Sequence, residues 1–377
     1  MHIKRSERLG VKHRAVYALS ADPITYGHIN VVERICGIFD EVIFGIGNNP
    51  AKKYLFSVAD RLSLARASLS HLPNVRVINF SGMLVDFAVE QGAQVIVKGV
   101  RNQEDFNYEQ LLHQVGMSQE LGIDTHIFFA DPKLAHVSSS VVRGIQFEHG
   151  LINQYVPLPV KAALENKISD QIVIGVTGEI ASGKSTFCKN MVSIAVESGI
   201  EIHHIDGDAL GHFVLHDDQS ELGKNVRNNI VDLLGEEMLD DGVLDRKRMA
   251  NKVFESPVLM KELNALMSKP IMIELRKSLQ GKRGVILFES ALIAETEMLS
   301  LCNNRVVLLE VDKAIQADSH AEKRSQSQFD FARKKAAIES KIEKDSFGKL
   351  WRFISEANSK AAIIELVGEF KVLKEKV

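Results

Sequence analysis

Residues Gln171–Thr186 read QIVIGVTGEIASGKST, and their order decides the fold of the second half of the chain. An apolar, β-branched run (Gln171–Val176) is followed by a glycine turn and then by a helical pattern that opens at Lys184. Gly178-Glu179-Ile180-Ala181-Ser182-Gly183-Lys184-Ser185 is a full GxxxxGK[ST] match, in the strand-to-helix context that gives the pattern its meaning. Backbone amides of such a loop cradle phosphates. Lys184 reaches the outer phosphates, and Ser185 offers its hydroxyl to Mg2+.

Around this core the pattern repeats. Further strands are expected at Glu201–Ile205, Val285–Phe288 and Val306–Val311. Upstream, strands are expected at Ala15–Leu19, Val42–Ile46, Val75–Phe80, Val95–Val97 and His126–Phe129, with helices at His28–Phe39, Val58–Leu69 and Leu84–Glu90 between them. Strands alternating with helices of this length imply parallel sheets covered on both faces, with ligands at the carboxyl ends of the strands. The fold class is α/β with two domains: a Rossmann-like parallel sheet and a P-loop parallel sheet. We place a basic tail at 1–13, a first domain at 14–168 and a second at 169–377. The boundary lies in Glu165–Gln171, after a helix at Val160–Asn166. Asp318–Lys349 is dense in charge and nearly free of strand signals, which points to helices with a solvated face.

Composition narrows the function. The 377 residues carry a net charge of −3, which gives no basic field for nucleic acid. Cys36, Cys188 and Cys302 lie far apart without a CxxC pair, so neither a zinc knuckle nor a disulfide framework is suggested. The start, MHIKRSERLGVKHR, has no apolar signal core, and no run approaches the ~18 apolar residues of a membrane span. A soluble, cytoplasmic protein is expected.

The first half carries a second candidate site. Asp22-Pro-Ile-Thr-Tyr-Gly-His28 follows the first strand and puts His28 at a helix N-terminus, where free N–H groups and the helix dipole favour anions. Alone, Gly-His there equally suits a capping or core histidine. Lys52-Lys53 follow the second strand, Lys98–Arg101 and then Asp105–Glu109 follow the fourth, and Val137–Arg143 follow the fifth, each at the ligand edge. In the second half, Asp206-Gly-Asp208 and Glu289 end strands near the phosphate loop. A carboxylate there suits proton removal from an attacking hydroxyl, although each acid could equally be a helix cap or a surface charge.

The order DPITxGH (Asp22–His28), PxKK (Pro50–Lys53), GxR (Gly99–Arg101), DFxYE (Asp105–Glu109) and SSS (Ser138–Ser140) resembles bacterial phosphopantetheine adenylyltransferase over roughly residues 14–165. Relatives acting on nicotinate mononucleotide or glycerol phosphate share the Gly-His turn, but not DFxYE with this serine run. The resemblance implies that ATP lies against Ser20, Ala21, His28, Gly99, Val100, Arg101 and Glu109, and against Leu134, Ala135, His136, Val137, Ser138, Ser139 and Ser140. It implies that 4'-phosphopantetheine meets Ser20, Lys52, Leu84 and Lys98, with His28, Lys52 and Arg101 serving the chemistry. The nucleophile is already an ionised phosphate, so positioning and cationic clamps matter more than a base. The chain departs from the family at Ala18-Leu19-Ser20-Ala21, where Pro-Gly-Thr/Ser-Phe is usual, and Leu19 in place of glycine is expected to crowd the ligand. Lys98 stands where arginine is common.

The second half resembles dephospho-coenzyme A kinase over about 171–310. The matching residues are the loop through Thr186, Asp206–Asp208, Gly242–Arg246, Val253-Phe254 and Ala291–Glu295. The resemblance implies ATP on Gly178–Thr186, Mg2+ at Ser185, Lys184 and Asp208 in catalysis, and Asp208 as base for the ribose 3'-hydroxyl of dephospho-coenzyme A. The implied partners are ATP, 4'-phosphopantetheine and dephospho-coenzyme A, with a homo-oligomer through the first domain. Here too the chain departs from the family. Glu179 and Ala181 replace loop glycines, His212 replaces arginine, and Lys269-Pro270 replaces His-Pro. Ser319 and Lys323, with Arg324 one place on, stand where lid arginines are usual after Gln316. Glu179 is expected to set a negative charge beside the phosphates, and the kinase is expected to be weak. Two alternatives stand beside this reading: a bifunctional adenylyltransferase/kinase of NAD salvage, and an adenylyltransferase whose second domain only senses nucleotide.

Overall fold

The computed structural model describes residues 12–179, 182–254, 256–296, 298–310, 329–354 and 360–376. The chain divides into two compact units. The first comprises residues up to Gln146 together with Ile152–Leu164; the second comprises Phe147–Leu151 and Glu165 onward.

The first unit alternates strictly: β1 (Arg14–Leu19), α1 (Tyr26–Cys36), β2 (Glu41–Gly47), α2 (Val58–Leu69), β3 (Val75–Phe80), α3 (Leu84–Glu90), β4 (Val95–Val100), α4 (Gln103–Met117), β5 (Asp124–Phe129), α5 (Ser139–Phe147) and α6 (Leu158–Ser169). The five strands are parallel in the order β3-β2-β1-β4-β5. The order reverses direction at β1, and the crevice outside the carboxyl ends of β1 and β4 is where such sheets bind ligands. β1 and β2 are central and read as continuous apolar runs, because both faces are covered. The edge strands β3 and β5 alternate between exposed and half-buried residues. One face of the sheet packs Val16, Ile43 and Ile96 against Val85, Phe87 and Ala88 of α3.

The second unit is built from β6 (Gln171–Gly178), α7 (Lys184–Glu197), β7 (Ile202–Asp206), α8 (Gly207–His212), a π-helical turn (Phe213–Asp217), α9 (Glu221–Leu234), a short hairpin of β8 (Leu239–Asp240) and β9 (Val243–Leu244), α10 (Arg246–Phe254), α11 (Pro257–Leu279), β10 (Gly284–Glu289), α12 (Met298–Leu301), β11 (Arg305–Glu310), α13 (Phe331–Asp345), β12 (Lys349–Ile354) and α14 (Lys360–Lys376). Its parallel sheet runs β12-β11-β6-β10-β7. The residues of β6 and β10 are all buried, and α7 and α14 cover one face through Phe187, Met191, Val367 and Phe370.

The expected strands are present within a few residues. Three readings are corrected. β12 starts at Lys349, where the charge-dense run ends, in a stretch for which no strand is expected from sequence; the buried Trp351 sits on this edge strand, whose partner among the described residues is β11. Helix α1 starts at Tyr26 with Thr25 as its cap, so His28 is the third helical residue rather than an opening one. The hairpin β8–β9 was not foreseen, because two-residue strands leave no readable period. Of the charge-rich run, Phe331–Asp345 is helical as expected, whereas residues 318–328 lie outside the described residues.

Candidate functional site

In the first unit the chain leaves β1 and turns through Ser20–Thr25 into α1. Ala21 has φ 46°, in the left-handed region that side chains disfavour. The backbone strain therefore sits at Ala21, two residues beyond Leu19, which ends β1 without a positive φ. The turn is fixed by contacts remote in sequence. Asp22, 5% exposed, accepts from the N–H groups of Leu55 and Phe56 at 2.9 Å each and from Arg143 at 2.7 Å. Ser139 donates to the carbonyl of Pro23 at 2.7 Å.

His28 lies in the first turn of α1. Its Nδ1 accepts from the backbone N–H of Thr25 at 3.1 Å. That bond assigns the ring proton to Nε2, which is left as a donor. Burial, reinforced by the nearby Arg101 charge, lowers the His28 pKa to about 4. The imidazole is therefore neutral at pH 7, and it works as a hydrogen-bond donor rather than as a cation.

The cations of this site are held by carboxylates. Arg101 grips Asp105 through Nε at 2.8 Å and a terminal nitrogen at 3.0 Å, which raises the arginine's pKa and lowers the aspartate's. Lys98 pairs with Glu109 at 2.8 Å, both largely shielded from solvent. This pair and Leu84 line one cavity of about 140 Å3, walled by Met83, Ile96 and Leu112. Lys52 is exposed in a turn whose N–H bonds the carbonyl of Asn49. Its charge reaches the hydroxyl of Tyr54, which accepts from Asn49 N–H at 2.8 Å and also hydrogen-bonds Ser20. Burial works to raise the pKa of Tyr54, but these bonds and the charges of Arg61 and Lys52 hold it below the ordinary phenol value.

Residues Leu134–Ser140 lie beside α1. A Cβ on Gly27 would stand 3.9 Å from the carbonyls of Leu134 and Val137, and Ser138 caps α5 by accepting from Val141 N–H at 3.2 Å. His136 meets the Tyr155 ring edge-on at 5.6 Å. Gly99 packs against the Tyr17 hydroxyl, and Val100 is buried at the end of β4.

Two supports had no readable signal in the sequence. Arg61 looks like a solvated helix residue but is 1% exposed. It donates to the carbonyls of Ser20 and Gly47 at 2.8 and 3.1 Å, with its guanidinium 4.0 Å over the Tyr54 ring. The Asp22–Arg143 pair joins residues 121 apart.

The second unit carries a candidate phosphate site of another kind. A Cβ on Gly178 would lie 2.5 Å from the carbonyl of Leu309, so only glycine fits there. Gly183 takes φ 75° as it turns the chain into α7. Ile180 and Ala181 lie outside the described residues. The Ser182 hydroxyl is buried without a hydrogen-bond partner among the described residues, and Thr186 is exposed on α7. Lys184 donates to the carbonyl of Glu179 at 2.9 Å; burial lowers its pKa against the pull of Glu289.

The sheet register sets Glu289 beside Asp206 on one flank and Val176 on the other. Ser185 donates to Glu289 Oε1 at 2.7 Å, and His204 Nε2 meets Oε2 at 2.8 Å. Burial works to raise the Glu289 pKa, but these two bonds and the charge of Lys184 keep it below the usual range. His204 had no signal of its own in the sequence. Asp206 caps α8, accepting from the N–H groups of Asp208 and Ala209. The Asp208 carboxyl is pushed up by burial and by the Asp206 charge, against Lys184, which favours it as a proton acceptor.

Glu179 keeps its place in the loop, and its Oε1 accepts from the N–H of Phe331 at 3.1 Å, at the start of α13. Its charge is spent on a helix N-terminus. The His212 and His216 rings lie tilted against each other with centroids 4.6 Å apart, and Lys269-Pro270 sits inside α11. Gln316, Ser319, Lys323 and Arg324 lie outside the described residues.

Residues 18–145 match the family described as Cytidylyltransferase-like. A phosphopantetheine adenylyltransferase from Mannheimia succiniciproducens is 39% identical over 152 residues, 40% of this chain and 96% of its own length. The chain belongs to the phosphopantetheine adenylyltransferase family. A member from Haemophilus ducreyi is 34% identical over 161 residues, 43% of this chain and all of its own. Residues 172–352 match the family Dephospho-CoA kinase, so the adenylyltransferase domain is fused to a kinase domain. A solved structure titled as NadR protein in complex with NR covers 96% of both chains at 10% identity and a TM-score of 0.34, a likeness too low to carry an argument. No described helix is long and apolar enough to cross a membrane.

Proposed function

We propose that the first unit transfers the adenylyl group of ATP to 4'-phosphopantetheine, and that the second phosphorylates the product. In the first reaction a phosphate oxygen of phosphopantetheine attacks the α-phosphorus of ATP. A P–O bond forms to give dephospho-coenzyme A, and pyrophosphate leaves with the electron pair of the broken bond. The observation that carries this reading is the neutral His28, whose Nε2–H is fixed as a donor beside Arg101. Such a donor stabilises charge building on the leaving oxygens. Ser20, Ala21, Gly99, Val100, Glu109 and Leu134–Ser140 frame the nucleotide. Lys52, Leu84 and Lys98 receive the other substrate.

In the second reaction the ribose 3'-hydroxyl of dephospho-coenzyme A gives its proton to Asp208, and its oxygen attacks the γ-phosphorus of a second ATP, releasing ADP. Gly178–Thr186 would hold that triphosphate, with Lys184 on its outer phosphates. Ser185, Asp206 and Glu289 offer only oxygen donors, a set that fits Mg2+. Bound there, Mg2+ would offset charge on the transferring phosphoryl group. The proposed domain limits are 14–168 and 169–377, beside a changeover of the two compact units at Leu164/Glu165 in α6.

The reading includes a cytoplasmic setting, small-molecule rather than nucleic-acid partners, and self-association through the first unit. For the last, α4 has no buried residue and exposes Tyr108, Leu111, Val115 and Met117. The nucleotide-sensing alternative for the second unit loses one support, since Glu179 is engaged with α13.

The test is a substrate panel on the full chain. ATP with 4'-phosphopantetheine should release pyrophosphate, and ATP with dephospho-coenzyme A should release ADP. Turnover of nicotinamide mononucleotide in preference to both would replace this reading with NAD salvage. ATP binding without ADP release would make the second unit a sensor.

A further inference from the structure

Glu179 occupies a loop position beside the candidate triphosphate, where a bare carboxylate would repel the ligand. Its surroundings give it other work. The carboxylate accepts from Phe331 N–H, and its own carbonyl accepts from Lys184. One residue thus touches both the loop lysine and the first turn of α13, a helix 152 residues further along the chain.

That turn is held at two further points. Phe329 N–H donates to Glu295 Oε1 at 2.7 Å. Lys334, with no exposed surface, donates to the same Oε1 at 2.7 Å and to the carbonyl of Ala291 at 2.6 Å. Ala291 also accepts from Thr177, the residue before Gly178, at 3.3 Å. Lys334 is close enough for its charge to bear on Lys184. A buried ammonium is costly to place and is kept only where partners hold it firmly. A cation fixed in this way pays no ordering cost when phosphates arrive.

We propose that Glu179 is a positioning residue of the second site: its carboxylate ties the phosphate loop to the first turn of α13, and so holds Lys334 beside Lys184 as a fixed cation. A glycine at 179 could not make this tie. The inference rests on the second unit binding Mg·ATP, and its charge logic opposes the repulsion that sequence alone suggests. A tether and a repulsive charge predict opposite results for the same substitutions.

The experiment compares the full-length chain with Glu179→Gln and Glu179→Ala. Glutamine keeps an acceptor oxygen without the charge. Alanine removes the acceptor without the loop freedom that glycine would add. Two quantities are measured: amide hydrogen exchange over residues 329–336, and Mg·ATP affinity at the second site, defined as the binding lost in Lys184→Ala. Alanine should speed exchange at the start of α13 and weaken Mg·ATP, each by roughly tenfold, the scale of a lost charge-assisted hydrogen bond. Glutamine should rescue both to within about twofold. Tighter Mg·ATP binding in both variants would overturn the proposal, because repulsion would then govern. Unchanged exchange in Glu179→Ala would overturn it equally. A wild-type chain that binds no Mg·ATP at the second site would sink the kinase reading, while the exchange comparison would still decide the tether.

Discussion

The two candidate phosphate sites use different materials. In the second unit the loop rests on main-chain geometry at Gly178 and Gly183, with Lys184 at its end. In the first unit the candidate cationic groups are side chains already engaged with carboxylates: Arg101 with Asp105, and Lys98 with Glu109. A main-chain cradle is local, so a short motif specifies it. A side-chain clamp needs partners delivered by several strands. It can also be tuned, because each carboxylate sets the position and the charge of its cation.

The sharpest way to break this comparison is to remove one proton acceptor. Asp208→Asn should lower ADP release by about 10²–10⁴-fold while Mg·ATP affinity stays near wild type, since the loop is untouched. Loss of ATP binding in that variant, measured by calorimetry, would place Asp208 in the nucleotide cradle and blur the division between cradle and base.

A smaller effect is expected from the first unit's donor. His28→Ala should reduce pyrophosphate release by about 10²–10³-fold. Nitrogen NMR of the ring should show the Nε2–H tautomer at pH 7, with titration near pH 4. The folded pKa is lowered, so the neutral donor persists as pH falls from 8 to 5, and protonation of His28 costs no activity in that window. A midpoint near 6.5, or normal turnover in His28→Ala, would return His28 to a capping role.

The smallest effect concerns strain. Ala21 holds φ 46°, which costs a side-chain-bearing residue about 1 kcal/mol. Ala21→Gly should raise the stability of the first unit by up to about that amount, less the entropy that glycine loses on folding. A lower melting temperature would mean that the Ala21 methyl, 3% exposed, contributes more in packing than its backbone costs.

Much of this was legible from local pattern. Strand and helix periods, the phosphate loop, the Gly-His turn and the ordered clusters all lie within short windows, where the spacing of apolar residues and glycines dictates backbone geometry. Four features are invisible in such windows. The Asp22–Arg143 pair, the buried Arg61, the His204–Glu289–Ser185 chain and the Glu179–Phe331 bond each join residues from separate elements. A charged residue reads as solvated until a distant partner is known, because burying a charge is affordable only when that partner is in place. For the same reason Glu179 looks repulsive on the string and proves to be a ligand of a helix end. Composition and periodicity settle which elements form and where phosphates are welcome. Packing of the finished sheets decides which charges face those phosphates and which are already spent on one another.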